Sequence, residues 1–535
     1  MIRDADSFQG VSALASGKYL MAIDAGTGSA RAVLFDESGR QVAVSQAEWS
    51  HKEDPRFPGS MDFDVEGNWK LIVGCVKGVL EKSGADPRSV AAIATTSMRE
   101  AIVLYDGAGK EIWACANVDA RSSAEVVKLM RLRPGIEEEL YALSGQTFSL
   151  NALPRLLWVK ENLPDVYESV RAVNMLNDWI AYKLSGVLTA EPSNGCTSGI
   201  FDIASRKWKP EIAASCGLRT DIYPAVTESA EIIGRVSADC AALTGLSTET
   251  LVVSGGGDAQ LGCVGVGAVA DGQAAVLGGS FWQYEFNTAV PVMDPKCRVR
   301  VNCHAVPGVF QYEAIAFFPG LVMRWFRDAF CQEEKRVEAE GGPDAYMQLA
   351  EGASKIPAGS HGMMCAFSDV MNYIAWKHAA PTFSNFSLDA EKFNKYTFFR
   401  SLMENAALVT RGHLQLVEEV TGRRPEGIVF ANGASKSPVW SQIMADVLGL
   451  TVRVPEVKEA TALGAALCAG VAAGVYDNME DAVRRTVRWD ASYEPVTENR
   501  KVYDDLYDKW RAMYGAQLKL ADEGVTAHMW RAPGV

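Results

Sequence analysis

Three stretches of the sequence carry charged side chains that could do chemistry, two of them beside glycines. In "LMAIDAGTGSAR" the apolar run over residues 20–23 ends at Asp24, and Gly26, Thr27, Gly28 and Ser29 follow directly. Glycines let backbone N–H groups converge on an anion and hydroxyls add donors, so this turn can hold phosphate while Asp24 faces a metal ion or its water. A hairpin with a solvated aspartate is the plainer alternative. In "SGGGDAQ" three glycines precede Asp258. They permit close approach by a ligand, although Asp258 can also cap a helix over residues 260–264. Arg99 and Glu100 adjoin after "AIATTSM", where an exposed ion pair is the plainer reading and a pair of ligand contacts the sharper one.

These residues need elements to hold them. Residues 20–23 read as a buried strand, with a hairpin into a second strand over 31–35 and a Ser38-Gly39 turn into a third over 41–49. A helix follows in "GNWKLIVGCVKGVLEKSG", with Trp69, Ile72, Val73, Val76, Val79 and Leu80 on one face, and "VAAIATTSM" reads as a further strand. A hairpin turning at Asp106-Gly107 carries Trp113, Asn117, Asp119 and Arg121; later helices include "LPRLLWVKEN" and "NMLNDWIAYKLSG", the second ending at Gly186. Near residue 250 the grammar restarts. A strand over 251–254, the turn with Asp258, a strand over 274–277 and a second glycine turn at Gly278-Gly279-Ser280 echo residues 20–35, which predicts a domain boundary at 246–250. "GIVFANGASKSPVWSQIMADVLGLTVRV" then reads strand, turn, helix, strand, and "EATALGAALCAGVAAGV" reads as a helix of small residues.

At 535 residues the chain is too long for one core, and two or three domains are expected. A net charge of -14 argues against nucleic acid as a principal partner. The start carries Asp4 and Asp6 where a signal peptide carries basic residues, and no segment reaches the roughly 18 apolar residues of a membrane span. Eleven cysteines occur without a CxxC pair and six histidines without HxxxH spacing. Reduced thiols, a cytoplasmic location and no zinc site are the expectations.

Taken in order, "LMAIDAGTGSARAVLFD", "SMREAIVLYDGAGKEIWACANVDAR", "GGGDAQLGC", "MRWFRDAFCQEEK", "ENAALV" and "VKEATALGAALCAGV" resemble the FGGY family of carbohydrate kinases over residues 18–514. Within it the chain is similar to the kinases of the quorum-sensing molecule autoinducer-2. The resemblance implies two actin-like (ribonuclease H-like) α/β domains, with ATP in the cleft between them. It places Mg2+ near Asp24, through water, with Gly26, Thr27, Gly28 and Ser29 around the phosphates and Arg31 aiding them or bracing Asp24. Asp258 becomes the base that deprotonates the acceptor hydroxyl, and Arg99 and Glu100 hold its hydroxyls. Trp282 and Gln283 wall the pocket, Gly279 and Ser280 form a second phosphate turn, and Gly433, Ala434 and Lys436 meet adenosine. Gly320 is placed near the adenine or phosphates. Glu404 matches the acidic residue ending the family's second signature, and Arg155 falls in the first.

The implied reaction is ATP-dependent phosphorylation of the C5 hydroxyl of 4,5-dihydroxy-2,3-pentanedione. A kinase of xylulose, ribulose or glycerol is the near alternative, and an actin- or chaperone-like nucleotide switch the distant one. The resemblance also implies the phosphocarrier HPr as a partner. The expected division is an extension over 1–17, domains over 18–248 and 249–490, and a helical tail over 491–535. Three departures stand out: Gly278-Gly279-Ser280 lacks the family's usual threonine, Asn432 replaces a glycine, and Arg155 replaces a lysine.

Overall fold

Strands β1 (Tyr19–Ala25), β2 (Ser29–Asp36) and β3 (Gln41–Glu48) form an antiparallel meander. The computed structural model describes residues 18–535 apart from residue 458; the expected extension over 1–17, with Asp4 and Asp6, lies outside the described residues. Leu20 to Ala25 are buried throughout, as a strand covered on both faces requires. The helix Val65–Ser83 covers one face with Ile72, Val76 and Val79; Asp64 caps its start by accepting from the Gly67 N–H at 2.8 Å, and Gly84 ends it at φ 63°. It delivers β4 (Val90–Ser97) parallel to β1. With β5 (Ile232–Arg235) and β6 (Leu251–Gly257) the sheet order is β5-β6-β4-β1-β2-β3.

The second sheet contains β7 (Ala274–Gly278), β8 (Trp282–Thr288), β9 (Arg300–Cys303), β10 (Phe310–Ala316), β11 (Gly427–Ala431), β12 (Thr451–Pro455) and β13 (Trp489–Tyr493). Its order is β9-β10-β8-β7-β11-β12-β13. Both sheets therefore carry one plan. An antiparallel meander (β3-β2-β1, β10-β8-β7) continues into two parallel strands (β4 and β6, β11 and β12) and ends on an antiparallel edge (β5, β13).

The plan corrects the expected boundary at 248/249. The strand expected to open the second domain is the fifth strand of the first sheet, with Val252 opposite Ile93 and Val253 opposite Ala94. It is buried on both faces because β4 and β5 flank it and helices cover it. The echo of the first hairpin is instead β7-β8, so residues 26–28 correspond to 279–281. The expected tail over 491–535 begins inside β13; its helix Thr497–Asp522 buries Tyr503, Leu506, Trp510 and Tyr514 in the second core, and Trp530–Arg531 pairs with Lys377–His378.

Three crossings join the lobes, over residues 266–273, 456–459 and 473–488. The second leads from β12 to the helix Ala460–Ala472, which returns to pack on the first sheet against Leu20, Ala22, Ala92, Ala94 and Val253. It also crosses the helix Asp258–Gly265 backbone to backbone. A Cβ on Gly464 would lie 2.0 Å from the Leu261 carbonyl, and one on Gly265 1.9 Å from that of Ala460. Small residues are what permit this approach.

Candidate active site

One side of the candidate site is built at the carboxyl ends of strands, where open α/β sheets bind ligands. Asp24 lies 6% exposed near the end of β1, opposite Arg31 across the hairpin. Its Oδ2 is 3.4 Å from Arg31 Nε, while Arg31 Nη1 donates to Glu459 Oε2 at 2.5 Å. Burial pushes the Asp24 carboxyl up to about 6; Arg31 pulls it down, and the carboxylates of Asp258 and Glu459 add to the rise. In the turn beyond, Trp49 Nε1 donates to the carbonyls of Gly26 and Thr27 at 3.1 Å, and His51 Nε2 lies 2.8 Å from the Thr27 carbonyl. The Thr27 hydroxyl meets the Asn117 amide at 3.0 Å. With these carbonyls engaged from behind, the open face belongs to the glycines. A Cβ on Gly28 would meet nothing within 4 Å.

At the corresponding turn of the second sheet, the Gly279 N–H donates to the Phe281 carbonyl at 3.0 Å and Ser280 is exposed. The helix Pro319–Phe330 starts against it: a Cβ on Gly320 would lie 2.3 Å from the Gly279 carbonyl. Gly320 thus brings the positive end of a helix to the turn. After β11, Asn432 takes φ 72° and ψ -160°, and the turn Gly433–Lys436 exposes Gly433 and Lys436, with Ala434 half-buried. These residues fit a nucleotide with its metal. Asp24 offers one carboxylate beside the first turn, and Mg2+ is an ion that takes one or two carboxylates plus phosphates and water.

The other side of the candidate site centres on Asp258, the first residue of its helix. The carboxylate is 39% exposed; Oδ1 accepts from the Ala259 N–H at 2.8 Å and lies 3.2 Å from Arg99 Nε. Helix-end contact and an open carboxylate coexist in this residue. Burial of the site lifts its carboxyl above the ordinary range, opposed by Arg99 and reinforced by Glu100 and Glu313. Behind it, Ser193 Oγ accepts from the Gly257 N–H at 3.0 Å and donates to the buried Glu191 at 2.7 Å.

Arg99 lies two residues beyond the end of β4 and is buried. Its Nη1 and Nη2 each donate to Glu313 of β10 at 2.5 Å, a two-point pair between the lobes. Asn302 donates to Glu313 at 2.9 Å and Gln283 at 3.2 Å. Although burial works against its ionisation, Arg99 and Arg300 hold Glu313 down to about 2. Glu100, at φ 64°, accepts from Arg300 Nη2 at 2.7 Å; Arg300 also donates to Gln146. Arg155 donates to the carbonyls of Glu100 and Asn117. Glu285 stands directly opposite Glu313 with neither oxygen hydrogen-bonded, and burial pushes its carboxyl well up.

The structure thus brings Asp24, Arg31, Arg99, Glu100, Asp258 and Gln283 into one cleft. Trp282 is a correction. Its neighbour Gln283 faces Glu313, so strand alternation turns Trp282 to the opposite face, where it is 0% exposed, donates to Thr410 at 2.8 Å and stacks on Trp440. Glu404 lies in the second core, accepting from Gly359, Ser360, Arg400 and Tyr503, and anchors the last long helix. Glu313, Arg300, Asn302, Gln146 and Glu459 were not singled out from sequence. A charged residue in the middle of an apolar strand, as in "FQYEAIA", is the signal that marks Glu313.

Residues 19–265 match the FGGY family of carbohydrate kinases, N-terminal domain, and residues 287–473 its C-terminal domain. The chain is 50% identical over 521 residues to the autoinducer-2 kinase of Salmonella paratyphi A, covering 97% of this chain and 98% of that one. To that of Escherichia coli K12 it is 50% identical over 518 residues, with the same coverage. Its fold is similar to xylulose kinase from Rhodospirillum rubrum, with TM-score 0.82 and 24% identity over 93% of this chain and 99% of that one. Plasmodium falciparum glycerol kinase with ADP follows at TM-score 0.81 and 16% identity, over 94% and 99%. A duplicated sheet plan with a cleft of carboxylates and arginines between the halves, matched by both family domains, makes this chain a member of the FGGY family of carbohydrate kinases.

Proposed function

We propose that this kinase transfers the γ-phosphate of ATP to the C5 hydroxyl of 4,5-dihydroxy-2,3-pentanedione, the autoinducer-2 precursor. The chemistry rests on one observation: Asp258 is the open carboxylate of a site whose other acids are engaged or buried. Its Oδ1 is occupied by Ala259 and Arg99, which leaves Oδ2 for the acceptor. As the hydroxyl oxygen bonds to phosphorus and the bond to the β-phosphate oxygen breaks, Asp258 takes the hydroxyl proton. Its raised pKa makes it the stronger base. Arg99 and Glu100 orient the neighbouring hydroxyl, and Gln283 faces the carbonyl end. The turns at 26–29, 279–280 and 433–436 position the nucleotide, and Mg2+ held at Asp24 supplies charge neutralisation at the phosphates.

The substrate rests on the relatives at 50% identity named autoinducer-2 kinase. A cytoplasmic site of action and HPr as partner belong to the same reading through resemblance; among the described residues no helix is long and apolar enough to cross a membrane. A panel of acceptors with NMR assignment of the phosphorylated carbon tests it. The expected result is a kcat/KM for the pentanedione at least ~10-fold above xylulose, ribulose or glycerol, about 1.4 kcal/mol of transition-state preference. Equal use of xylulose or glycerol overturns the substrate and leaves the kinase.

A further inference from the structure

Glu459 ends the second crossing between the lobes, directly before the helix Ala460–Ala472. It comes within hydrogen-bond reach of a residue 428 positions away, Arg31 on the first hairpin. Arg31 and Asp24 are cross-strand neighbours, so a two-point pair between them is the arrangement an arginine and a carboxylate ordinarily reach. They do not reach it here. Arg31 Nη1 is drawn to Glu459 at 2.5 Å, its Nε stays buried without a hydrogen-bond partner, and Asp24 keeps only a 3.4 Å contact.

The acceptor side repeats the geometry. Arg99 gives both Nη atoms to Glu313, a residue of the second lobe, and shows only Nε to Asp258, at 3.2 Å. At each place a functional carboxylate faces the Nε of an arginine whose Nη is taken by a second acid from later in the chain. Charge follows the same logic: Asp24 and Arg31 alone cancel, and Glu459 restores one negative charge where a divalent cation is needed.

We infer that Glu459 is a positioning residue for the metal: it holds Arg31 off Asp24, leaving a carboxylate oxygen open to a divalent cation. This rests on the reading that Asp24 serves the nucleotide's metal. The test is Mn2+ binding in the presence of ADP, followed by loss of the free-ion EPR signal, alongside metal-free ADP binding in EDTA. Glu459→Gln is expected to weaken Mn2+ binding by ~10-fold or more, the usual scale for a residue that orients a ligand, with metal-free ADP affinity unchanged. Glu459→Asp should retain binding within about 3-fold.

The double variant Arg31→Met with Glu459→Gln separates positioning from loss of charge or fold. Without the arginine Asp24 is open again, so Mn2+ binding should recover most of what the single variant lost. No recovery overturns the inference, as does unchanged Mn2+ binding in Glu459→Gln while Asp24→Ala loses it. If Asp24→Ala itself binds Mn2+ normally, the metal reading fails as well, and the two failures are distinct.

Discussion

Asp24→Asn should make the metal-free protein more stable, although it removes a functional group. The carboxyl is buried and its pKa rises from 3.8 to about 6 on folding. Below the lower value both states are protonated and nothing is gained or lost. Between the two, the folded protein keeps a proton that the unfolded chain has released, so stability falls as pH rises. Above about 6 the deficit is complete: about 2 pH units at about 1.4 kcal/mol each, or about 3 kcal/mol. Asparagine has the same shape and no charge to desolvate, so the variant escapes the deficit. At pH 8 in EDTA the transition that includes the first sheet should rise by roughly 6 °C, and the gain should vanish near pH 4. Calorimetry at half-unit steps of pH tests this, and adding Mg2+ with ADP should raise the wild type above the variant. A variant that is less stable at pH 8, or whose advantage does not change with pH, refutes the assignment of Asp24 as a strained buried carboxylate.

Asp258→Asn should bind ATP normally and turn over at least ~100-fold more slowly; near-normal turnover removes Asp258 from the base role. Arg99→Ala leaves Glu313 buried without its two-point partner, and chemical denaturation should show a loss of about 3 to 5 kcal/mol. Adding Glu313→Gln to that variant should return part of the stability and none of the activity, since the acceptor still lacks Arg99. Asn432→Gly should stabilise the protein by roughly 1 kcal/mol or more, because φ 72° with ψ -160° is backbone territory that glycine occupies freely. A loss of stability there points to an asparagine side-chain contact that offsets the strain.

The sequence shows the elements well and their assignment to sheets less well. The first hairpin, the helix over 65–83 and the strand–turn–helix around 427–448 are legible because short turns and a single hydrophobic period fix them locally. The placement of Leu251–Gly257 is not, because parallel pairing with β4 is a contact across some 160 residues, and a run buried on both faces looks alike wherever it lies. The same limit divides the site. Asp24, Arg99 and Asp258 end strands beside turns or glycines, and local chemistry singles them out. Trp282 also follows a glycine turn, but one residue of strand register sends it into the core and leaves Gln283 facing the cleft. Glu313 carries a local mark, a charge inside an apolar strand, but its partner, like that of Glu459, lies in the other half of the chain, and no local pattern encodes that pairing.

Those two acids explain why the site needs both lobes. Arginine has five donors in a fixed fork, and a neighbouring carboxylate left alone with it is drawn into a two-point pair that lowers its basicity and fills its oxygens. In the proposed roles that would make Asp258 a poorer base and Asp24 a poorer metal ligand. Glu313 takes both Nη atoms of Arg99, and Glu459 takes Nη1 of Arg31. Asp258 and Asp24 each keep a nearby positive charge, at 3.2 and 3.4 Å, which offsets part of the cost of burying the ionised form without filling the second oxygen. The second acids come from β10 and from the crossing before Ala460–Ala472, so both arginines are held only where the two halves of the chain meet. Separation of the halves would take Glu313 from Arg99 and let that arginine fall onto Asp258, whereas Glu459, beside the helix that packs on the first sheet, stays with Arg31.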